Sequence, residues 1–398
     1  MSSDPVLIAG GGIAGLVCGY LLARRGRECA LFEANAEVGA GCSQHAGGML
    51  APLSELDLAE PQLVRLGLGA ANAWRALLGP DLHAERDTPD GTIHGTPDDT
   101  IHGTPDGTPD DTPDDTPDDT PGDTIDDLFA ARGSLLVAHR PEWPLLTQLR
   151  ERAERAGLSD HLEPVGPERI AALEPWLSDR LRRGLYIASE GVVHPERLLP
   201  ALRDRFLGAG GVIHRQRRVA RVEPGQLTLA DGQTYRGDPV IDCRGLGAGP
   251  DLAVRGVRGE YVVIRPHAIS PTRPIRLMHP RYPLYIVPRP DGHLYIGATQ
   301  IESQHDGPVQ VRSALELLSA LYSLAPAFAD AEIERLGVGL RPAFRDNLPQ
   351  LRSQPGLITL NGLFRHGYLL APRLCGWVEL LVQGQPLPDE AAPFWHPA

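Results

Sequence analysis

Apolar and polar positions near the N-terminus follow the order of a strand, a helix and a second strand. Residues 4–9 (DPVLIA) and 28–33 (ECALFE) are short apolar runs, and residues 13–26 between them have the length and composition of a helix. This order predicts a βαβ unit at the start of the chain.

The same kinds of element return later in the chain. Helices are predicted at 195–208 and 368–384, and strands at 211–216, 237–243 and 356–360. Apolar and polar residues alternate, as they do in antiparallel strands, in GEYVVIRP (259–266), YPLYIVPRP (282–290) and GHLYIGATQ (292–300). The pattern predicts an α/β protein, α+β overall, in which a discontinuous Rossmann-like nucleotide domain holds an inserted mixed or antiparallel-sheet domain.

Residues 99–124 form a repeat of Thr, Pro and Asp that fits neither pattern. Like-charge repulsion, regularly spaced prolines and little apolar surface predict disorder. The flanks, residues 66–87 and 128–143, are predicted as a helix and a strand that a short loop could join. We therefore interpret 87–126 as an expanded surface loop, with a metal-sequestering or partner-docking tract as the alternative.

The net charge of −13 is concentrated in this repeat, because residues 87–123 contain twelve Asp and no Glu, Lys or Arg, which leaves −13 + 12 = −1 for the rest. A near-neutral body without a basic stripe argues against nucleic acid as a partner. The chain also contains no lysine, which excludes Schiff-base catalysis through lysine and the phosphate-binding lysine of a P-loop.

Other features of composition bear on location and on metal binding. The 398 residues suffice for two domains or one large composite domain, and no apolar run reaches the length of a membrane span. Five cysteines occur singly, without a CxxC pair, which argues against a disulfide framework and against a zinc site. A cytoplasmic protein without a metal site is expected.

The first chemical motif is GGGIAG, in which Gly10, Gly12 and Gly15 have GxGxxG spacing between the first strand and the first helix. Such glycines permit a tight turn and let the backbone approach a pyrophosphate at the helix N-terminus. Glu33 ends the second strand, where a carboxylate accepts hydrogen bonds from a ribose diol and repels the 2′-phosphate of NADP. The motif leaves NAD and FAD open.

Five further blocks narrow the choice. They are HAGGMLAP (45–52), VIDCRGLGA (240–248), YIVPRPDGHLYIGAT (285–299), GLRPAFRDNLP (339–349) and NGLFRHGYLLAP (361–372). In this order they resemble blocks of the D-amino-acid oxidase family of flavoproteins, most closely its glycine oxidase branch, and the resemblance covers nearly the whole chain except the repeat.

The resemblance implies FAD lying along the first βαβ unit, with the flavin ring wrapped by the C-terminal block and the N-terminus of the last helix. It divides the chain into FAD-binding parts at 1–86, 191–255 and 336–398 and substrate-domain parts at 127–190 and 256–335. Cys375 lies in the last helix beyond the ring-binding run, so non-covalent FAD is expected. Besides the three motif glycines, the cofactor contacts carried over are Ile13, Ala14, Glu33, Ala34, Cys42, Ser43, Gly47, Gly48, Met49, Val219, Leu363, Phe364, Arg365, His366, Gly367, Tyr368 and Leu369.

The resemblance also implies a substrate clamp. Arg341 matches the arginine that holds the substrate carboxylate, a task that suits a planar guanidinium with two parallel donors. Tyr285 matches a tyrosine whose hydroxyl assists at that carboxylate, and Arg365 matches a position beside both flavin and substrate. His366 departs from the asparagine expected there.

No general base stands out in the sequence, and none is assigned. His45 and His366 are candidates that we interpret as structural, because hydride transfer from the substrate α-carbon to flavin N5 requires orientation and exclusion of water rather than a base.

The expected function is oxidation of glycine, or another small amine, to the imine or glyoxylate with O2 reduced to H2O2. The resemblance implies a role in forming the thiazole of thiamine, with hand-off to a thiazole synthase, and a homo-oligomer. The alternatives are oxidation of sarcosine, proline or another D-amino acid, oxidation of an aminomethyl group on a tRNA base, a dehydrogenase that passes electrons to a quinone, and a flavin-binding subunit without turnover.

Overall fold

The computed structural model describes residues 4–79, 128–177 and 179–397. The predicted disordered loop at 87–126 lies outside the described residues, so the interpretation of the repeat stays a prediction.

A seven-stranded sheet contains the N-terminal βαβ unit. Its strands, in spatial order, are β21 (Trp395–Pro397), β19 (Gln350–Gln354), β20 (Leu357–Asn361), β13 (Val240–Asp242), β1 (Val6–Ala9), β2 (Cys29–Phe32) and β9 (Val212–His214). The strands from β20 to β9 pair in parallel, which requires crossover connections. The chain thus enters this sheet from widely separated segments, and the predicted discontinuous Rossmann-like fold is confirmed.

The helices of this half pack against one another and against the sheet. They are α1 (Ile13–Ala23), α2 (Pro61–Gly67), α3 (Ala70–Leu78), α6 (Pro195–Gly208) and α8 (Gly367–Val382). Every residue of α1 is buried, because the helix lies between the sheet, α6 and α8. A helix that is apolar on all sides is typical of such a buried, central position.

An eight-stranded sheet forms the second half. Its strands, in spatial order, are β18 (Glu332–Ala343), β14 (Arg255–Arg265), β17 (Leu294–Gly297), β16 (Leu284–Pro288), β15 (Ile275–Leu277), β5 (Ser134–Val137), β7 (Gly184–Ile187) and β6 (Glu163–Val165). All neighbours are antiparallel except β5 and β15. The three alternating segments form β14, β16 and β17, as predicted. Three helices accompany this sheet: α4 (Trp143–Ala156), α5 (Pro167–Leu173) and α7 (Val311–Leu324).

Two small sheets complete the fold. One contains β3 (Met49–Leu50), β8 (Gly191–Val193) and β4 (Phe129–Ala130), and the other β10 (Val219–Glu223), β11 (Gln226–Leu229) and β12 (Thr234–Arg236). Short 3-10 helices occur at Cys42–His45, Leu53–Glu55, Arg140–Glu142, Ser159–His161, Pro326–Asp330 and Asp389–Ala391, and at Gly245–Leu252 with an interruption at Gly249. Within the described ranges, no helix combines the length and the apolar composition needed to cross a membrane.

The proposed domain boundaries stay a prediction. Two paired strands cross them: β14 begins at Arg255, before the predicted boundary at 256, and β18 runs to Ala343, beyond the predicted boundary at 335, because it pairs along its whole length with β14. The pairing places Arg341 opposite Val257 and Gly339 opposite Gly259. It thereby extends the second sheet up to the block that contains the predicted carboxylate clamp.

Candidate active site

A cavity of about 1170 Å³ is walled by residues from both large sheets. Its first half lies at the carboxyl ends of β1, β2, β13 and β20, where parallel α/β sheets bind their ligands. Its second half is lined from β14, β16, β17 and β18. All residues predicted to contact cofactor or substrate line this cavity except Gly15.

The glycine turn after β1 is fixed by backbone contacts. Gly10 has a φ of +100°, and a Cβ at this position would lie 2.6 Å from the carbonyl oxygen of Cys243. Gly15 packs against the same turn, since a Cβ there would lie 1.9 Å from the carbonyl oxygen of Gly10. Gly15 therefore shapes the turn by close packing of α1 on β1, not by facing the cavity.

Glu33 lies at the end of β2, buried and facing this turn. Its Oε2 accepts a hydrogen bond from the Gly11 N–H at 2.8 Å, and its Oε1 accepts bonds from the backbone and side chain of Asn35, both at 2.7 Å. Ser43 Oγ accepts a bond from the Ile13 N–H in the first turn of α1 at 3.0 Å. The carboxylate is thus positioned at the rim expected for a ribose, while it also ties down the glycine turn.

Residues 363–369 of the C-terminal block also line the first half of the cavity. The Tyr368 hydroxyl donates to the carbonyl of Ser43 at 2.9 Å, which joins the block at 363–369 to the 3-10 helix Cys42–His45. The N-terminus of α8, at Gly367, lies in the cavity wall. The two segments predicted to contact FAD from opposite ends of the chain are therefore hydrogen-bonded neighbours.

The residues present fit a dinucleotide of the size of FAD. The cavity runs from Glu33 and Val219 at one end to the 363–369 block at the other, and its volume exceeds that of most small-ligand pockets. Cys375 is buried behind α1, where its thiol contacts the carbonyl of Ala14 at 3.4 Å. This thiol does not line the cavity, whereas Cys42 and Cys243 do, and non-covalent attachment of FAD stays a prediction.

Two stacked tyrosines, which sequence reasoning missed, hold the His45 segment of the cavity wall, and one of them, Tyr295, lines the cavity itself. The rings of Tyr261 and Tyr295 lie 4.7 Å apart and nearly parallel. The Tyr295 hydroxyl donates to the carbonyl of His45 at 3.1 Å, and the Tyr261 hydroxyl lies 2.9 Å from His45 Nδ1. The alternation within β14 and β17 predicts their strands but does not distinguish a core tyrosine from one that supports a ligand loop.

Arg341 extends from β18 into the cavity. Its Nη1 donates to the carbonyl of Thr299 at 2.9 Å. The guanidinium lies directly over Gly259 of β14, where a Cβ would come within 2.3 Å of Nη2. Burial, together with the positive charge of Arg365, lowers the pKa of Arg341. Among the residues that the structure describes, no carboxylate lies within ion-pairing distance of this guanidinium.

Arg365 and Tyr285, by contrast, already have an anionic partner. Both contact Glu55, which lies six residues after Met49, the last predicted FAD contact in that region, and which sequence reasoning did not identify. The Tyr285 hydroxyl donates to Glu55 Oε1 at 2.5 Å, and the Arg365 guanidinium forms an ion pair with Glu55 Oε2. Although burial alone would raise it, the pKa of Glu55 falls to about 2, because Arg365 and Arg276 stabilise the carboxylate. Glu55 is therefore an anion at neutral pH.

Glu55 is held in place by two further buried groups, both missed from the sequence. Arg276 pairs with Asp57 through two bonds of 2.7 and 2.9 Å and also donates to the carbonyl of Ser54. Glu190, fully buried, accepts bonds from the Ser54 N–H at 2.8 Å and from the Ser54 hydroxyl at 2.5 Å. Burial raises the pKa of Glu190 to about 7. Glu190 and Arg276 thus both bind Ser54 and fix the turn that carries Glu55.

The two candidate histidines are not poised as acids near neutral pH. Burial lowers the pKa of His366 to about 4, and it lowers the pKa of His45 as well. His366 stands before the first turn of α8, and its carbonyl accepts from the Leu370 N–H at 2.9 Å. Both rings are therefore neutral at pH 7, and the structural roles expected from the sequence stay a prediction.

Comparison with known proteins gives consistent matches. The family model of FAD-dependent oxidoreductases, DAO, matches residues 5–101 and 122–379. A relative from Rhizobium etli, described as a thiamine biosynthesis oxidoreductase ThiO, is 35% identical over 387 residues, which are 96% of this chain and 98% of that protein. A bifunctional ThiO/ThiG protein of Synechocystis sp. is 30% identical over 249 residues, 58% of this chain and 36% of that protein.

Glycine oxidase of Geobacillus kaustophilus is 28% identical over 407 residues, with 98% of this chain and 95% of that protein covered. A crystal structure of glycine oxidase from the same organism superposes with a TM-score of 0.79 over 98% of both chains, at 25% identity. The likeness therefore extends over both large sheets.

Proposed function

Because this chain belongs to the family of FAD-dependent oxidoreductases, we propose that it oxidises glycine, or an amino acid of similar size, at the carbon that bears the amino group. FAD is the cofactor of the family, as the five sequence blocks led us to expect. The observation that carries the substrate class is Arg341, a guanidinium inside the cavity without a carboxylate partner among the described side chains. A ligand carboxylate would supply that partner.

We assign the substrate end of the cavity to Arg341, Tyr285 and Arg365, and the remaining predicted residues to FAD. Bound FAD supplies the acceptor for the two electrons that leave the substrate. Arg341 orients the amino acid by binding its carboxylate. Burial lowers the pKa of His45 and His366, so both imidazoles are neutral near pH 7 and weak as bases. In our proposal the substrate reacts as the free amine: its α-carbon would lose a hydride, that is two electrons and one proton, and its nitrogen would lose one proton to solvent, so that no protein base is assigned.

The products follow from the balance of the reaction. Glycine loses two electrons and two protons to become the imine, and water converts the imine to glyoxylate and ammonia. In our proposal O2 takes the two electrons and two protons and leaves as H2O2. The names of the Rhizobium and Synechocystis relatives support a role in thiamine biosynthesis, with the imine passed to a thiazole synthase. Five free cysteines suit the reducing cytoplasm, which we propose as the location.

Anaerobic mixing tests the proposal. Purified protein is mixed with glycine, sarcosine, D-alanine and D-proline while the visible flavin absorbance is followed. We expect glycine to bleach the flavin fastest, and air to restore the colour with formation of peroxide. If another of these amines bleached the flavin and glycine did not, that amine would replace glycine as the proposed substrate. Restoration by a quinone but not by air would indicate a dehydrogenase, and a flavin that no amine bleaches would contradict the proposal.

A further inference from the structure

The substrate end of the cavity contains three buried or half-buried arginines and two carboxylates. Arg276 is neutralised by Asp57, and Arg365 is neutralised by Glu55. Arg341 is left over within the described part of the chain. The other charged side chains that line this end are Arg281, Asp306 and Arg312, which are exposed to water, and Glu316 on α7, which is half-buried. Of these three arginines, Arg341 is the one without a carboxylate within ion-pairing distance among the described residues.

We propose that Glu55 is a specificity-determining residue, which restricts the enzyme to amines with a single carboxylate by occupying Arg365 and Tyr285. This inference rests on the proposed function, since it treats Arg341 as the site of the substrate carboxylate. A substrate with a second carboxylate would need a second cation. The nearest one, Arg365, is already bound to Glu55.

The contacts around Glu55 hold its carboxylate against Arg365. Residues 53–55 form a 3-10 helix whose middle residue, Ser54, is bound through its N–H and hydroxyl by Glu190 and through its carbonyl by Arg276. Glu55 itself is 9% exposed and keeps its negative charge throughout the physiological range. To reach Arg365, a second ligand carboxylate would have to break the buried ion pair of Glu55 with Arg365 and come close to the Glu55 carboxylate, which is strongly unfavourable.

Removal of the charge should therefore change selectivity and not merely weaken binding. In Glu55→Gln, the side chain keeps its length and one acceptor oxygen, but Arg365 is no longer neutralised. The site then presents two unsatisfied guanidinium groups, Arg341 and Arg365. A structural role for Glu55 would lower the affinity for all ligands alike, whereas our proposal predicts that ligands with two carboxylates gain affinity relative to ligands with one.

The experiment measures binding instead of turnover. The FAD-bound wild type and the Glu55→Gln variant are titrated with acetate and with malonate, and dissociation constants are taken from the perturbation of the flavin spectrum. We expect the affinity for malonate relative to acetate to rise about tenfold or more in the variant, as expected for one additional charge-assisted interaction. Glu302→Gln, which removes an exposed carboxylate paired with Arg255, is the matched control and should leave the ratio unchanged.

An unchanged malonate-to-acetate ratio in Glu55→Gln would overturn the inference. If that variant fails to retain FAD, Glu55→Ala is measured in the same way, because it also removes the charge and leaves space for the ligand. Reduction by glycine is recorded in parallel for the wild type. Failure of glycine to reduce the flavin would contradict the proposed function, while the ratio of the two dissociation constants would still decide the role of Glu55.

Discussion

The two ends of the cavity are built from different parts of the polypeptide. At the cofactor end, the wall is mostly backbone: the Gly10 turn, the N–H groups of α1 and the start of α8. At the substrate end, it consists of charged side chains that come from four separate segments, Glu55, Arg276, Arg341 and Arg365. The first end depends on the space left by absent side chains, and the second on the balance of buried charge.

This difference predicts two kinds of sensitivity to mutation. Adding a single methyl group should be most damaging at the cofactor end, where atoms are already in contact. Removing a charge or a hydroxyl should be most damaging at the substrate end, where each buried group depends on a partner.

The largest effect is expected for Gly10→Ala. The φ of +100° and the contact of 2.6 Å with the Cys243 carbonyl oxygen both oppose a side chain, so the variant should lose about 3 kcal/mol of unfolding free energy and most of its FAD. Flavin content and urea unfolding measure both. Gly166→Ala, at a glycine with open space around the added Cβ, is the control. Full FAD content in Gly10→Ala would contradict the claim that the cofactor end depends on the absence of side chains.

The next effect concerns Glu190 and pH. Because the pKa of Glu190 is about 7 in the folded protein and near 4.5 when unfolded, the folded state binds the proton more tightly. Its contribution to stability is fully present below pH 4.5 and is lost as pH rises towards 7, by up to about 3 kcal/mol. Glu190→Gln lacks this titration.

We therefore expect the difference in unfolding free energy between wild type and Glu190→Gln to shift in favour of the variant between pH 4.5 and 7 and to stay level above that range. Glu55 has the opposite trend, since its depressed pKa costs stability only as pH falls from 4.5 towards 2. Both proteins contain Glu55, so subtracting the unfolding free energy of Glu190→Gln from that of the wild type at each pH leaves the contribution of Glu190. A difference that does not change with pH would show that the buried carboxyl does not titrate there.

Tyr285→Phe should have a smaller effect. The change removes the hydroxyl that donates to Glu55 at 2.5 Å and leaves the ring in place over Arg276. One hydrogen bond to a charged group is lost, so kcat/KM for glycine should fall about tenfold, with FAD retained. Tyr282→Phe, a change at the cavity rim, serves as the control in steady-state assays. Equal effects of the two variants would argue against a role for the Tyr285–Glu55 contact.

The smallest effect is expected for His366→Asn, which introduces the residue that the family resemblance led us to expect. The imidazole has a pKa of about 4 and is neutral during catalysis, so its loss should change kcat/KM by less than about threefold. The pH profile from 6 to 9 should keep its shape. A limb of the profile that disappears in the variant would instead identify His366 as an acid or base.

The same difference explains which parts of the molecule could be predicted from the sequence. The βαβ unit, the antiparallel strands β14, β16 and β17 and the GxGxxG turn follow from local spacing and periodicity, and the structure contains them. Glu55, Arg276 and Glu190 could not be found in this way, because each is an isolated charged residue in its own segment. Only the parallel pairing of β5 with β15 and the packing of residues 53–57 beside them bring these charges together.

Local pattern was also insufficient where long-range pairing sets an element's end. The strand predicted at 128–143 is split into β4 and β5, which belong to different sheets. The first helix, predicted over 13–26, ends at Ala23, because Gly26 adopts a positive φ before β2. Tyr261 and Tyr295 were assigned only to strands, although their hydroxyl groups hold the His45 segment of the cofactor end.

The most direct test of the account is the dependence of anaerobic flavin reduction on glycine concentration in the wild type and in Arg341→Ala. Arg312→Ala, which removes an exposed arginine from the same cavity, is the control. If Arg341 is the unpaired cation that holds the substrate carboxylate, half-maximal reduction should require about a hundredfold more glycine in Arg341→Ala, with FAD content unchanged. Wild-type dependence on glycine in Arg341→Ala would contradict the account.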